Sequence, residues 1–349
     1  MKTSRKSTFN FLIISSLLFL FFSCNEAENK KISDKQSTEI EPTDSLKIEN
    51  LSNKIRETPK DDNLFYERSK LYFTKGDIAN ATNDLEIAIK LDSLKAKYYT
   101  QLSEYQLLKG DSKASKTSLE KCIKLFPNNT DALLKLSNIY LYVKEYKNSF
   151  KYLSKVERID KHIAQTYFIK GLIYKELNKP DDAIKNLQIA VDNEPNYYEA
   201  YMLLGLLYAE KNDSIAIDYY KNAIKIIPNS VEAHYNTAFF YQKNKKYKKA
   251  IDKYNYFLDN IDSTQQAVYY NIGYIYLIYL NEYKKAISYF SKAINYDSKY
   301  FQAYYNRGYC YELLKQYGKA KKEYQKSLEI YPNYELSINA LNRLDKVKK

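Results

Sequence analysis

The chain has 349 residues, with 39 Tyr and 15 Phe but no Trp, and only 7 Gly, 7 Pro, 2 His and 3 Cys. So few histidines, cysteines and glycines leave little material for metal sites, nucleophile triads or phosphate-cradling loops, whereas 45% hydrophobic and 28% charged residues can bury a core. The net charge of +13 raises the question of nucleic acid or an anionic membrane, but Lys2, Arg5 and Lys6 supply three of those charges, and the rest is mostly lysine in a chain rich in Asn, Ile and Tyr, as AT-rich coding sequences produce.

Residues 1–23 read as a signal peptide: a basic stretch to Ser7, the apolar run Phe11 to Phe22, then Ser23 and Cys24. Twelve residues are too few to span a bilayer comfortably but suit a signal-peptide core. A Cys directly after that run resembles the lipobox of bacterial lipoproteins, which implies lipidation of Cys24 and a membrane anchor; Phe21 and Phe22 depart from the usual lipobox residues. Asn25 in the second mature position resembles lipoproteins forwarded to the outer membrane. The expected location is the cell envelope, as an outer-membrane lipoprotein facing the periplasm, with surface exposure as the other option. Residues 24–44 carry almost no apolar side chains and read as a disordered tether.

A capping helix is predicted at 45–57, and from about residue 62 the chain repeats itself. Small residues Ala81, Ser115, Ser149, Ala183, Ala216, Ala250, Ala286 and Ala320 recur at about 34 residues, the period of a solenoid. About twelve positions upstream lies a second small series, Ser69, Ser103, Ser137, Gly171, Gly205, Ala238, Gly273 and Gly308. A Tyr follows three residues after each of these except Ser103, where Gln106 stands. Pro59, Pro127, Pro195, Pro228 and Pro332 close repeats, where a helix must stop. Segments such as KGLIYKELNKPDDAIKNLQIAVDNEPN (170–196) resemble the tetratricopeptide repeat, a helix-turn-helix unit. The expected fold is an all-α superhelix, residues 45–334, with eight repeats starting near 62, 96, 130, 164, 198, 231, 266 and 301, closed by a C-terminal capping helix at 335–349. The small residues of the two helices are expected to face each other, with the Tyr filling the space beside them.

Most polar residues read as packing. His162 and His234 have no metal-ligand neighbours, Asp181 and Asp182 suit the first turn of a helix, and the run Lys243 to Lys249 suits a solvated turn. Cys122 and Cys310 read as small buried hydrophobes. No catalytic residue, metal or cofactor is expected, and the export signal argues against a nucleic-acid partner.

One constellation stands apart. In the last three repeats Asn236, Asn271 and Asn306 recur at intervals of 35, flanked by Tyr235, Tyr270 and Tyr305 on one side and by Phe239, Tyr274 and Tyr309 a turn later. In a tetratricopeptide superhelix this helix face lines the concave groove, so the resemblance implies an asparagine ladder offering donors and acceptors to an extended peptide backbone. Leu172, Met202 and Leu206 are expected to make the central groove apolar. The predicted function is a non-catalytic, membrane-tethered scaffold that binds a peptide or protein segment. The alternative is a structural subunit of a secretion, gliding or pilus assembly that uses the convex face or oligomerises.

Overall fold

The computed structural model describes residues 44–347, and every regular element among them is an α-helix. Cys24, the signal peptide, nearly all of the predicted tether and the last two residues lie outside the described residues. No helix among the described residues is long and apolar enough to cross a membrane.

The helices fall into two compact units that divide after Lys161. The first holds α1 (Asp44–Glu57) and three helix pairs: α2 (Asp62–Thr74) with α3 (Ile78–Leu91), α4 (Ala96–Leu108) with α5 (Ser112–Leu125), and α6 (Thr130–Tyr142) with α7 (Tyr146–Ile159). The second holds five pairs and a final helix. These are α8 (Ala164–Glu176) with α9 (Pro180–Asn193), α10 (Tyr198–Glu210) with α11 (Ile215–Ile226), α12 (Val231–Lys243) with α13 (Tyr247–Asn260), α14 (Gln266–Ile278) with α15 (Tyr283–Tyr296), α16 (Phe301–Leu313) with α17 (Tyr317–Ile330), and then α18 (Glu335–Val347). Within each unit a helix packs on its pair-mate and on the next helix in the chain, the connectivity of an α-α superhelix.

One backbone device turns the chain inside every pair. The second residue past the first helix, or the third after α14, adopts a left-handed conformation at Gly76, Gly110, Lys144, Asn178, Asn212, Lys245, Asn281 and Lys315, with φ between 55° and 85°. In most pairs the next N–H then donates to the carbonyl of the repeat's tyrosine, as Lys179 does to Tyr174 at 2.8 Å and Gln316 to Tyr311 at 2.8 Å. This is a Schellman closure, which satisfies carbonyls that a helix end would otherwise orphan.

The packing inside the glycine-bearing pairs brings in a further residue of the second helix. A Cβ built on Gly171, Gly205, Gly273 or Gly308 would come within 3.0 Å of Leu187, Tyr220, Phe290 or Tyr324 respectively. The glycines thus make room for a large side chain of the second helix, four residues beyond the Ala marker, and at Gly171 the Ala183 carbonyl of the marker also lies 3.5 Å from that position. Small-on-small contact survives where serines replace them: the Ser149 hydroxyl donates to the Ser137 carbonyl at 2.8 Å. The tyrosine three residues on stacks on a ring of its pair-mate, as in Tyr140 on Tyr152, Tyr208 on Tyr219 and Tyr276 on Tyr289, with centroids 5.3 to 5.6 Å apart.

Two ionic clamps fix the outermost pairs. Arg68 on α2 grips Asp84 on α3 through two bonds of 2.7 and 2.8 Å and donates to Ser52 on α1 at 2.9 Å. Arg307 on α16 repeats the arrangement with Glu323 on α17, at 2.8 to 3.0 Å, and Ser291 on α15, at 2.9 Å. Both arginines stand sixteen residues after the serine and sixteen before the carboxylate. Each clamp fastens three successive helices, because the planar guanidinium can serve two faces at once.

Candidate functional site

The site predicted from sequence lies wholly within the second unit, on one face of α12, α14 and α16. Residues 232, 235 or 236, 239 and 243 follow one another at three or four positions and so share one side of α12; the same register places Tyr270, Asn271 and Tyr274 on α14, and Tyr305, Asn306 and Tyr309 on α16.

The asparagines are more committed than an open ladder requires. Asn271 Nδ2 donates to the Tyr235 hydroxyl at 3.0 Å and to the Tyr254 hydroxyl at 3.2 Å. Asn306 Nδ2 donates to the Tyr270 hydroxyl at 2.8 Å, and Asn306 is only 6% exposed. These bonds bolt each first helix to the first helix of the preceding repeat. Among the described residues Asn236 has no such bond, because the position matching Tyr235 one repeat earlier is held by Met202, which offers no hydroxyl. In the expected ladder, Asn271 and Asn306 thus each spend amide hydrogen on a tyrosine, whereas the side chain of Asn236 makes no hydrogen bond among the described residues.

The flanking rings form three matched pairs. Tyr235 and Phe239, Tyr270 and Tyr274, and Tyr305 and Tyr309 stack along their own helices with centroids 6.1 to 6.4 Å apart. The first ring of each pair also leans on its second helix, against Tyr254, Phe290 and Tyr324 at 5.6 to 6.0 Å, so this face is not fully opposite the packing stripe. Of the second rings Phe239 is 43% exposed, while Tyr274 and Tyr309 are half-buried. Burial pushes the Tyr235 and Tyr270 hydroxyls above the ordinary phenol range, which the amides of Asn271 and Asn306 only partly offset. Both therefore stay neutral and keep their acceptor role.

Glu232 opens the same stripe of α12. It is exposed to solvent, yet its carboxyl is pushed upward by desolvation, and no cation counters the shift. Further back, on α8 and α10, Leu172 and Leu206 are half-buried, but Met202, Ile169 and Leu203 are buried. Met202 therefore belongs to the core rather than to the central groove lining expected from the sequence.

Of the polar residues read as packing, His234 is buried as expected, its Nε2 bonded to the Pro228 carbonyl at 2.9 Å, whereas His162 is exposed and meets Asn193. Asp181 and Asp182 sit in the first turn of α9. Cys122 and Cys310 are free and buried, and burial raises both thiols, Cys122 to about 11. No cluster of metal-ligating side chains occurs among the described residues.

Models of one family match the chain. Described as Tetratricopeptide repeat, they match residues 96–129, 170–214, 219–252, 267–300 and 301–334, together just over half of its length. The chain belongs to the tetratricopeptide-repeat proteins, a class of protein-interaction scaffolds that bind protein or peptide partners. A search of curated proteins returned no match. Among solved structures it is similar to YrrB, described as a TPR protein with an unusual peptide-binding site, at 21% identity over 53% of this chain and 96% of that one, TM-score 0.40. It is similar to MamA from Desulfovibrio magneticus RS-1 at 22% identity over 48% and 95%, TM-score 0.42. A monomeric mutant of IFIT1 aligns with more of the chain, 82% against 76% of its own, at 14% identity and TM-score 0.47.

Proposed function

We propose that the protein is a non-catalytic adaptor that holds an extended peptide or protein segment along the aromatic face of α12, α14 and α16. The observation that carries this reading is the register of three stacked ring pairs on consecutive repeats, each presenting apolar area with a polar edge. Asn236 adds a free donor and acceptor beside Phe239. The adaptor is exported and tethered through lipidated Cys24, at the outer membrane facing the periplasm.

Photo-crosslinking from position 239 in intact cells, with mass spectrometry of the adducts, tests the groove. A discrete protein adduct lost in a Tyr274→Ala background supports it; adducts unchanged by Tyr274→Ala and Tyr309→Ala abandon it. Cys24→Ser tests the tether separately, because it releases the protein from the membrane fraction only if that sulfur carries the lipid.

A further inference from the structure

Building on the groove reading, we propose that this face selects a cationic segment, with lysine or arginine side chains passing between Glu199, Glu232 and the rings of the same face. Glu199 on α10 and Glu232 on α12 occupy the same repeat position, one turn before Met202 and Tyr235 on the same helix faces. Neither forms an ion pair among the described residues, although the chain carries 55 lysines and arginines. The corresponding face of the first unit is internally neutralised: Glu67 pairs with Lys70 at 2.9 Å, Glu104 with Lys135 at 3.0 Å, and Asp131 also meets Lys135. On the matching face of the second unit Glu199 and Glu232 have no such partner among the described residues, so an incoming cation would meet two uncompensated carboxylates.

The rings give independent support. Elsewhere in the second unit, lysines already stand over tyrosines, as Lys285 does over Tyr276 at 5.2 Å and Lys292 over Tyr289 at 5.4 Å. No lysine or arginine of the described residues stands over Phe239, Tyr270, Tyr274 or Tyr309. The outer rings are thus supplied with cations from within the chain and the groove rings are not, although aromatic faces of either kind attract them. Lys243, the cation of the α12 stripe, lies about three turns from Glu232 at the opposite end of the helix. It leaves the edge formed by Glu199 and Glu232 anionic.

Three capped ten-residue peptides alternating alanine with lysine, glutamine or glutamate test the inference by fluorescence anisotropy on the full chain. The lysine peptide is expected to bind at least tenfold more tightly than the other two, and less tightly as salt rises. Glu232→Gln and Glu199→Gln are each expected to weaken it at least threefold with unchanged thermal melting, and Phe239→Ala to weaken it as well. Equal affinity for the lysine and glutamine peptides, indifference to both Glu→Gln changes, or binding of none of the three overturns the proposal. Preference for the glutamine or glutamate peptide that disappears in Phe239→Ala overturns the charge class and leaves the groove standing. Lysine-peptide binding that Glu232→Gln weakens and Phe239→Ala does not touch removes the groove itself.

Discussion

The amide of Asn306 donates to the hydroxyl of Tyr270, thirty-six residues earlier and one repeat behind, at 2.8 Å. With Asn306 6% exposed, neither water nor a neighbouring side chain can readily replace that acceptor. Tyr270→Phe is therefore expected to destabilise the second unit by about 1 to 3 kcal/mol, the cost of stranding a buried donor. Asn306→Ala with Tyr270→Phe should cost less than the two single changes summed, since the second change no longer strands anything. Urea denaturation of the four proteins gives the coupling; additive losses would mean that the bond contributes nothing.

A second expectation concerns the close approach at Gly205. A Cβ there would stand 2.4 Å from a ring carbon of Tyr220, against 2.9 Å between Gly308 and Tyr324. Gly205→Ala should therefore cost more than Gly308→Ala, the former about 1 to 3 kcal/mol. Gly308→Leu should cost at least as much as Gly308→Ala. Melting curves rank the three, and a Gly205→Ala protein that melts like the parent would refute the packing described for α10 and α11.

The left-handed turn positions yield changes in the opposite direction. Lys144, Lys245 and Lys315 hold φ of 59° to 60°, where a Cβ is strained and glycine is not. Each Lys→Gly change is expected to stabilise its unit by about 1 kcal/mol, because Gly76 and Gly110 fill the same turn position in the first two repeats. The matching Asn178, Asn212 and Asn281 should gain less, since asparagine tolerates this region. A fall in melting temperature for all three Lys→Gly proteins would contradict the turn geometry.

The all-α superhelix was legible in the sequence because helices that approach closely must be small at the crossing, and that requirement recurs at Gly171, Gly205, Gly273 and Gly308. What fills the space opposite was not legible. Tyr220, Phe290 and Tyr324 look like ordinary members of an amphipathic stripe until the backbone shows them lying on a glycine. The asparagine interval of 35 was visible, but not its partner: Tyr235 on α12 and Asn271 on α14 occupy the same face of successive repeats, and helix periodicity sets the face without saying that the two will meet. The arginine clamps were missed although a signal existed. Ser52, Arg68 and Asp84, like Ser291, Arg307 and Glu323, are spaced by sixteen residues, close to the separation of facing positions on successive helices.

The last helix carries a pH-sensitive latch. Arg343 on α18 donates two bonds to Glu312 on α16, at 2.7 and 2.8 Å, and the Tyr324 hydroxyl adds a third at 2.6 Å. Burial alone would raise the Glu312 carboxyl, but the Arg343 guanidinium and the Tyr324 hydroxyl outweigh it and hold the folded pKa below the ordinary 4.5. A carboxylate depressed on folding stabilises the folded state fully above its unfolded pKa and loses that contribution as pH falls through its folded one. The docking of α18 is therefore expected to be insensitive to pH above about 5 and to loosen below about 4, around the unperturbed carboxyl range. Hydrogen exchange of the α18 amides reads this directly. Glu312→Gln should flatten their pH dependence, and Arg343→Ala should expose them at neutral pH by leaving the half-buried carboxylate without its cation. Amides of α18 that exchange alike at pH 3.5 and pH 7, once corrected for intrinsic rates, would show that packing of Ala340 and Leu344 against α17 holds the helix without the latch.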